Sequence, residues 1–216
     1  MSGQQHEDAA FVAAITASST HEIRNVLAIV KECAGLMADM VHACDDAGSL
    51  DTERLLRVVS RIDTQVGRGA DLITGLNHFV HTLDAPEATI ELQREVAQAV
   101  LLSQRTARLR NHTVTHVPSP DALSLTLSPF RLHMALFTAI ECCMDRLTEP
   151  GTVVLRALQQ ERRAAVEVTG EIGGAVAPGT AGDGDAWTRL RGLVDDLAGS
   201  LTNDDTCCRF RIGLPG

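Results

Sequence analysis

Residues 55–83 repeat apolar side chains at alternating spacings of four and three without a break: Leu55, Val59, Ile62, Val66, Gly69, Ile73, Leu76, Val80 and Leu83. Such a stripe runs along one side of an α-helix of about eight turns and has to be buried against other helices. Upstream, residues 8–44 hold no Pro and a single Gly, and Ile23, Leu27, Val30, Ala34, Met37, Val41 and Cys44 form a second stripe. A neighbouring row, Val26, Ile29, Cys33, Leu36 and Met40, makes that apolar face too wide for a two-stranded seam. The short turn Asp45–Asp51, with Ser49 and Asp51 as N-cap candidates, makes the two helices antiparallel neighbours. A hairpin with faces this wide cannot close a core alone. Self-association about a twofold axis into a dimeric antiparallel four-helix bundle is the economical solution. The alternative is that residues 85–216 cover the open face.

Asp84-Ala85-Pro86 ends the helical pattern and marks a boundary between a helical hairpin, 1–84, and a mixed domain, 85–216. In the second domain the patterns predict helices over 91–109, 129–147 (with Pro129 at the first position) and 187–198. They predict strands over 112–117, 123–127, 152–158, 163–169 and 207–214, and a Gly-rich loop over 170–185. The expected fold class is α+β: the helical hairpin followed by a two-layer α/β sandwich.

Composition narrows the function classes. With 19 Lys plus Arg against 28 Asp plus Glu, the chain carries a net charge of −9, which argues against affinity built on nucleic-acid phosphates. Aromatic residues are 3% of the chain, too few for stacking on bases or sugars to be its main activity. No apolar run approaches the roughly 20 residues of a membrane span, and the first ten residues lack a signal-peptide pattern. The six cysteines, with adjacent pairs at 142–143 and 207–208 and no CxxC, read as small apolar core residues in a reducing cytoplasm.

The first helix also carries chemistry. The helical row through His21 continues as Asn25, Ala28, Glu32, Gly35 and Asp39, polar or small throughout, while the apolar rows lie elsewhere. His21 is therefore expected on an exposed face with little bulk to hold off an approaching protein. An exposed imidazole is mostly neutral at pH 7 and so nucleophilic. Glu22 is placed to accept from one ring nitrogen and raise the basicity of the other.

His21-Glu22-Ile23-Arg24-Asn25-Val26-Leu27 resembles the H-box of sensor histidine kinases, H-E-[LIV]-R-[NT]-P-L, with Val26 in place of the usual proline. The setting, the first of two antiparallel bundle helices, matches that family's dimerisation and phosphoacceptor domain. The resemblance implies that His21 is phosphorylated. The second domain resembles the family's ATP-binding domain in the order of its elements, but its boxes are altered. Thr138 and Cys142 stand at the two Asn positions of the N-box, and a neutral thiol is a poor ligand for Mg²⁺. Gly170 stands where the family's adenine-reading Asp follows a strand, and Gly182-Asp183-Gly184-Asp185-Ala186-Trp187 replaces the phosphate loop. Two aspartates there would repel a triphosphate.

The resemblance therefore implies a histidine phosphotransferase with a degenerate kinase-like ATPase domain, similar to the ChpT type and the sporulation phosphorelay type. Its expected partners are response-regulator receiver domains and a second copy of itself. No ATP is expected, and Mg²⁺ would come with the receiver. Glu22-x-x-Asn25 also matches the family's phosphatase motif, in which the Asn orients water, so a response-regulator phosphatase is the alternative. A non-catalytic pseudokinase scaffold is the third reading. His78 with His81, and His112 with His116, are spaced to share a metal, but each lacks a third ligand, so no metal site is expected. Arg54, Arg57, Arg61 and Arg68 either meet an acidic partner or form a solvated face.

Overall fold

The computed structural model describes residues 2–47, 51–119, 123–160, 163–178, 184–204 and 206–215, in two compact units, 1–77 and 78–216. In the first unit, helix α1 spans Ser2–Ala47 and helix α2, Thr52–His81, begins in it. Ser49 lies outside the described residues. Asp51 caps α2, its Oδ1 accepting from the Arg54 amide at 2.9 Å, which satisfies one of the free amides of the first turn. Cys33, Met40 and Val58 form a buried cluster flanked by Ile29, Leu36, Met37, Leu55 and Ile62. Farther from the turn, α1 and α2 approach at Val26 and Gly69, where an added Cβ would lie 3.2 Å from Val26 Cγ1. These contacts run in opposite directions along the two helices, so the hairpin is antiparallel.

The long stripes divide between two faces. Leu55, Ile62 and Gly69 of α2 turn toward α1, whereas Val59, Val66 and Ile73, which alternate with them, stay exposed, Val66 at 54%. On α1 it is the second row, Val26, Cys33 and Met40, that is buried, and Leu27 of the first stripe is 61% exposed. A four-three stripe straddles the contact line of a single partner, so one helix shields only half of it.

The second unit is α+β. Its helices are α3 (Leu92–Leu109), α4 (Pro129–Arg146) and α5 (Asp185–Asp196). Its strands are β1 (Ala88–Glu91), β2 (Thr113–Val117), β3 (Ser124–Leu127), β4 (Thr152–Gln160), β5 (Arg163–Ile172), β6 (Ala175–Val176), β7 (Ser200–Asp204) and β8 (Arg209–Gly213). The main sheet has the order β2-β4-β5-β8-β7, with β6 paired to the end of β5, and β1 and β3 form a separate antiparallel pair. β2 runs parallel to β4 and the other ladders are antiparallel, so the sheet is mixed. Its inward face carries Val153, Leu155, Val166, Val168, Phe210 and Ile212, all buried. Val168 faces Leu155 on one side and Phe210 on the other. On the opposite face Glu167 lies in register with Arg156 and Arg211 and accepts from Arg211 Nε at 2.8 Å. Helix α4 is buried along nearly its whole length.

Three features differ from the sequence expectation. The units part at 77–78 rather than at Asp84–Ala85, because Phe79 is fully buried against Phe130 and Phe137 of α4. β1 and β7 form where no strand was expected. The Gly-rich loop is shorter than expected: β5 continues to Ile172 and turns through Gly173 and Gly174, both at positive φ, into β6. Residues 179–183 of that loop, including Gly182 and Asp183, lie outside the described residues.

Candidate functional site

His21 sits mid-way along α1, more than four turns from either end, so its backbone is held by intact helical bonding on both sides. It is exposed, as are Asn25, Ala28, Glu32, Gly35 and Asp39 along the same row. A Cβ added at Gly35 would meet nothing within 4 Å. The row is a flat, open strip with the imidazole near one end.

Glu22 faces the other way. It is 5% exposed, and its Oε1 accepts from Arg68 Nη2 of α2 at 2.5 Å. The row Ile15, Ser19, Glu22, Val26 is buried against α2, so Ser19 and Glu22 are polar interruptions in an apolar seam. Ser19 Oγ and, on α2, Gln65 Oε1 are buried and have no hydrogen-bond partner among the described residues. His21 and Asn25 thus lie on the open face while the carboxylate between them braces the hairpin. Arg68, which the sequence grouped with Arg54, Arg57 and Arg61 as one basic face, is separated from them by this pairing. Arg68→Met removes the Arg68 guanidinium from the buried Glu22 carboxylate. It is expected to cost about 1–3 kcal/mol, below the usual about 3–5 for a fully buried pair because Arg68 is itself partly solvated. Glu22→Leu in the same chain should recover most of the loss, as read from urea midpoints.

Of the altered box positions, Thr138, Cys142 and Gly170 are buried, whereas Gly184 and Asp185 are exposed. Gly170 ends the buried run of β5, and a Cβ there would lie 2.6 Å from Cys208 Sγ, 3.0 Å from Leu147 Cδ2 and 3.1 Å from Cys143 Sγ. Cys143 and Cys208 are buried with their sulfurs 3.6 Å apart. The hydrogen bond shared with Cys143 pulls the Cys208 thiol below its usual value, against its burial and helped by the Arg146 guanidinium. Thr138 and Cys142 are buried too, and burial pushes the Cys142 thiol up to about 12, which removes it further from metal chemistry. Arg146 donates to Asn203 Oδ1 at 2.8 Å and stacks 4.4 Å from the Trp187 ring centre. Asp185 opens α5, after Gly184 at φ 100°.

The histidines of the two spaced pairs find other partners. His81 Nδ1 bonds Asp84 at 2.7 Å, and His112 Nδ1 accepts from the Gly151 amide at 3.2 Å. His78 meets residues that the sequence did not join to it. Its Nε2 lies 2.9 Å from Glu95 Oε2, and His133 Nε2 lies 2.7 Å from the same oxygen. Burial favours the neutral form of Glu95, but the hydrogen bonds from His133 and His78 outweigh it and hold the carboxyl below its usual value. The sequence signal was available: Glu95 and His133 fall on inward helix rows among Leu92, Val96, Leu132 and Leu136.

No protein-family model matches this chain, and no curated protein matches it. Among solved structures it is similar to the Acinetobacter baumannii histidine kinase AdeS, with 12% identity and a TM-score of 0.48 over 90% of this chain and 96% of that one. It is similar to the catalytic domain of histidine kinase ThkA, with 13% identity and a TM-score of 0.49 over 61% of this chain and 97% of that one. Full-length ShkA, solved in complex with AMPPNP, matches with 15% identity and a TM-score of 0.49 over 89% of this chain and 45% of that one. Similarity at this level leaves the function to be read from this chain's own side chains.

Proposed function

We propose that the chain is a histidine phosphotransferase of a two-component phosphorelay, with His21 as the phosphoacceptor. The observation that carries this reading is the open strip through His21, whose neighbours are small or polar for several turns. A receiver domain has to bring an aspartyl phosphate to about 3 Å from the imidazole, and only a strip without bulk allows that approach. A ring nitrogen attacks phosphorus, the bond to the aspartyl oxygen breaks, and the carboxylate leaves. Both the phosphoramidate and the acyl phosphate are high-energy, so the group can pass on to a second receiver. Receiver-bound Mg²⁺ serves the transfer.

The filled position at Gly170 supports a role without ATP, and titration with Mg·ATP is expected to show no micromolar binding. The deciding experiment mixes the chain with a panel of phosphorylated receivers. Acid-labile label appearing on this chain supports transfer. Loss of label from the receivers without its appearance here favours hydrolysis through Asn25. Tight binding with no movement of phosphate favours a scaffold.

The exposed half of the α2 stripe, with Leu27 and Val41 of α1, supports a second copy as the partner of the hairpin. The two halves of the stripe respond differently to charge. Val66→Asp is expected to give a folded monomer by light scattering, because Val66 faces away from α1. Ile62→Asp places the charge against the Cys33, Met40 and Val58 cluster and is expected to unfold the hairpin itself, at a cost of several kcal/mol.

A further inference from the structure

We propose that His78, Glu95 and His133 form a Zn²⁺ site that ties the last turn of α2 to the first turns of α3 and α4. The inference is independent of phosphoryl transfer at His21. Three observations carry it.

The first is convergence. His78 Nε2, His133 Nε2 and a Glu95 carboxylate oxygen, from three different helices, all lie within 4.8 Å of one another. Both imidazoles aim the same ring nitrogen at the same oxygen, at 2.9 and 2.7 Å. Around a tetrahedral ion with bonds of 2.0–2.1 Å the donors stand about 3.3 Å apart, so each nitrogen has to part from the shared oxygen by about half an ångström.

The second is charge. The Glu95 side chain is 2% exposed, and the groups that hold it are the two imidazoles, with no Lys or Arg paired to it among the described residues. A buried carboxylate without a permanent cation needs its charge balanced, and a divalent ion does this while leaving both rings neutral. Two imidazoles and one carboxylate are a donor set that Zn²⁺ takes in open, three-ligand sites.

The third is the shape of the surroundings. His133 is fully buried with its ring held between Phe79, 5.7 Å away and edge-on, and Phe137 at 6.4 Å. That packing fixes one ligand. His78 is 24% exposed on its side chain, which leaves an entry path and room for water as the fourth ligand. His133 Nδ1 is buried and has no hydrogen-bond partner among the described residues. Metal on Nε2 places the ring proton on that atom, so the outer hydrogen bond that tightens most zinc histidines is missing. Micromolar affinity is therefore expected, roughly 10–100-fold weaker than a fully supported site.

The test is Zn²⁺ titration of the full chain, stripped with chelator and free of any tag, by calorimetry and by equilibrium dialysis with metal analysis. One Zn²⁺ per chain is expected, with Tm rising by roughly 5–10 °C when free metal is 100-fold above the dissociation constant. Glu95→Gln and His133→Ala should each weaken binding at least about 100-fold, while His112→Ala leaves it unchanged. Because the two buried substitutions can harm folding, His78→Ala at the partly exposed ligand is the paired variant. It should keep the native circular dichroism and still lose the site. Co²⁺ should give the absorption of a tetrahedral nitrogen–oxygen site without a thiolate charge-transfer band. Absence of saturable binding, or binding that survives both Glu95→Gln and His78→Ala, overturns the proposal and leaves a proton-sharing cluster. A thiolate band overturns it in favour of the cysteines.

Discussion

His21→Gln is expected to abolish uptake of phosphoryl label from a phosphorylated receiver, by at least about 10⁴-fold, while receiver affinity changes by no more than about threefold. The size of the first effect follows from the chemistry. In the proposed transfer the imidazole supplies the nitrogen of the new nitrogen–phosphorus bond, and an amide side chain cannot replace it as a nucleophile. The smallness of the second follows from the surface. His21 projects from the middle of a regular helix on an exposed strip, so the substitution disturbs neither the helix nor the buried Glu22–Arg68 pair behind it. Ala28→Arg separates recognition from chemistry in the opposite sense. Ala28 is exposed on the same row, two turns along, and a long cation there should hold a receiver away from an intact imidazole. Transfer and affinity should then fall together. Normal transfer by His21→Gln would end the phosphotransferase reading, and normal transfer by Ala28→Arg would place the docking surface elsewhere.

Gly170→Asp restores the residue type that the kinase resemblance calls for and is expected to unfold the second unit rather than revive ATP binding. The new Cβ would overlap Cys208 Sγ at 2.6 Å and crowd Leu147 and Cys143, which costs about 1–3 kcal/mol by overpacking alone. The carboxylate beyond it would be buried among two thiols and a leucine, with the neighbouring Arg146 already held by Asn203 and Trp187. Burying that charge adds several kcal/mol, so the total approaches the stability of an ordinary domain. Gly170→Ala carries the overpacking cost without the charge and should melt cooperatively at a lower temperature. Thermal unfolding followed by circular dichroism distinguishes the two, and Mg·ATP titration of Gly170→Ala should stay flat. A folded Gly170→Asp protein would show that the thiols move aside easily and that the pocket is less filled than its geometry implies.

The helices were legible because their signals are local. The four-three repeat, the absence of Pro and the turn at 45–51 are visible within a few residues of each position they govern. The ends of α2, α3 and α4 accordingly fall within about two residues of expectation. β1 and β7 were missed for the complementary reason. Ala88–Glu91 is only four residues long and Ser200–Asp204 has weak strand propensity, and each is held as a strand by the hydrogen-bonding edge of β3 or β8. The open row through His21 was readable in the same way, since helical spacing alone places it off the apolar faces.

What the sequence determined by itself was therefore the periodic part: two long amphipathic helices, an exposed histidine with small neighbours along its row, and a mixed domain after them. What only the tertiary structure decided was which half of each stripe is spent within the hairpin, which polar residues meet across it, and what packs against Gly170. Glu22 with Arg68, His78 with Glu95 and His133, and Cys143 with Cys208 beneath Gly170 join positions 17 to 65 residues apart. Spacing along one helix carries no information about such meetings. They are set by how helices and sheet pack, where a buried polar or small group is tolerated only if the facing element supplies its partner or its space.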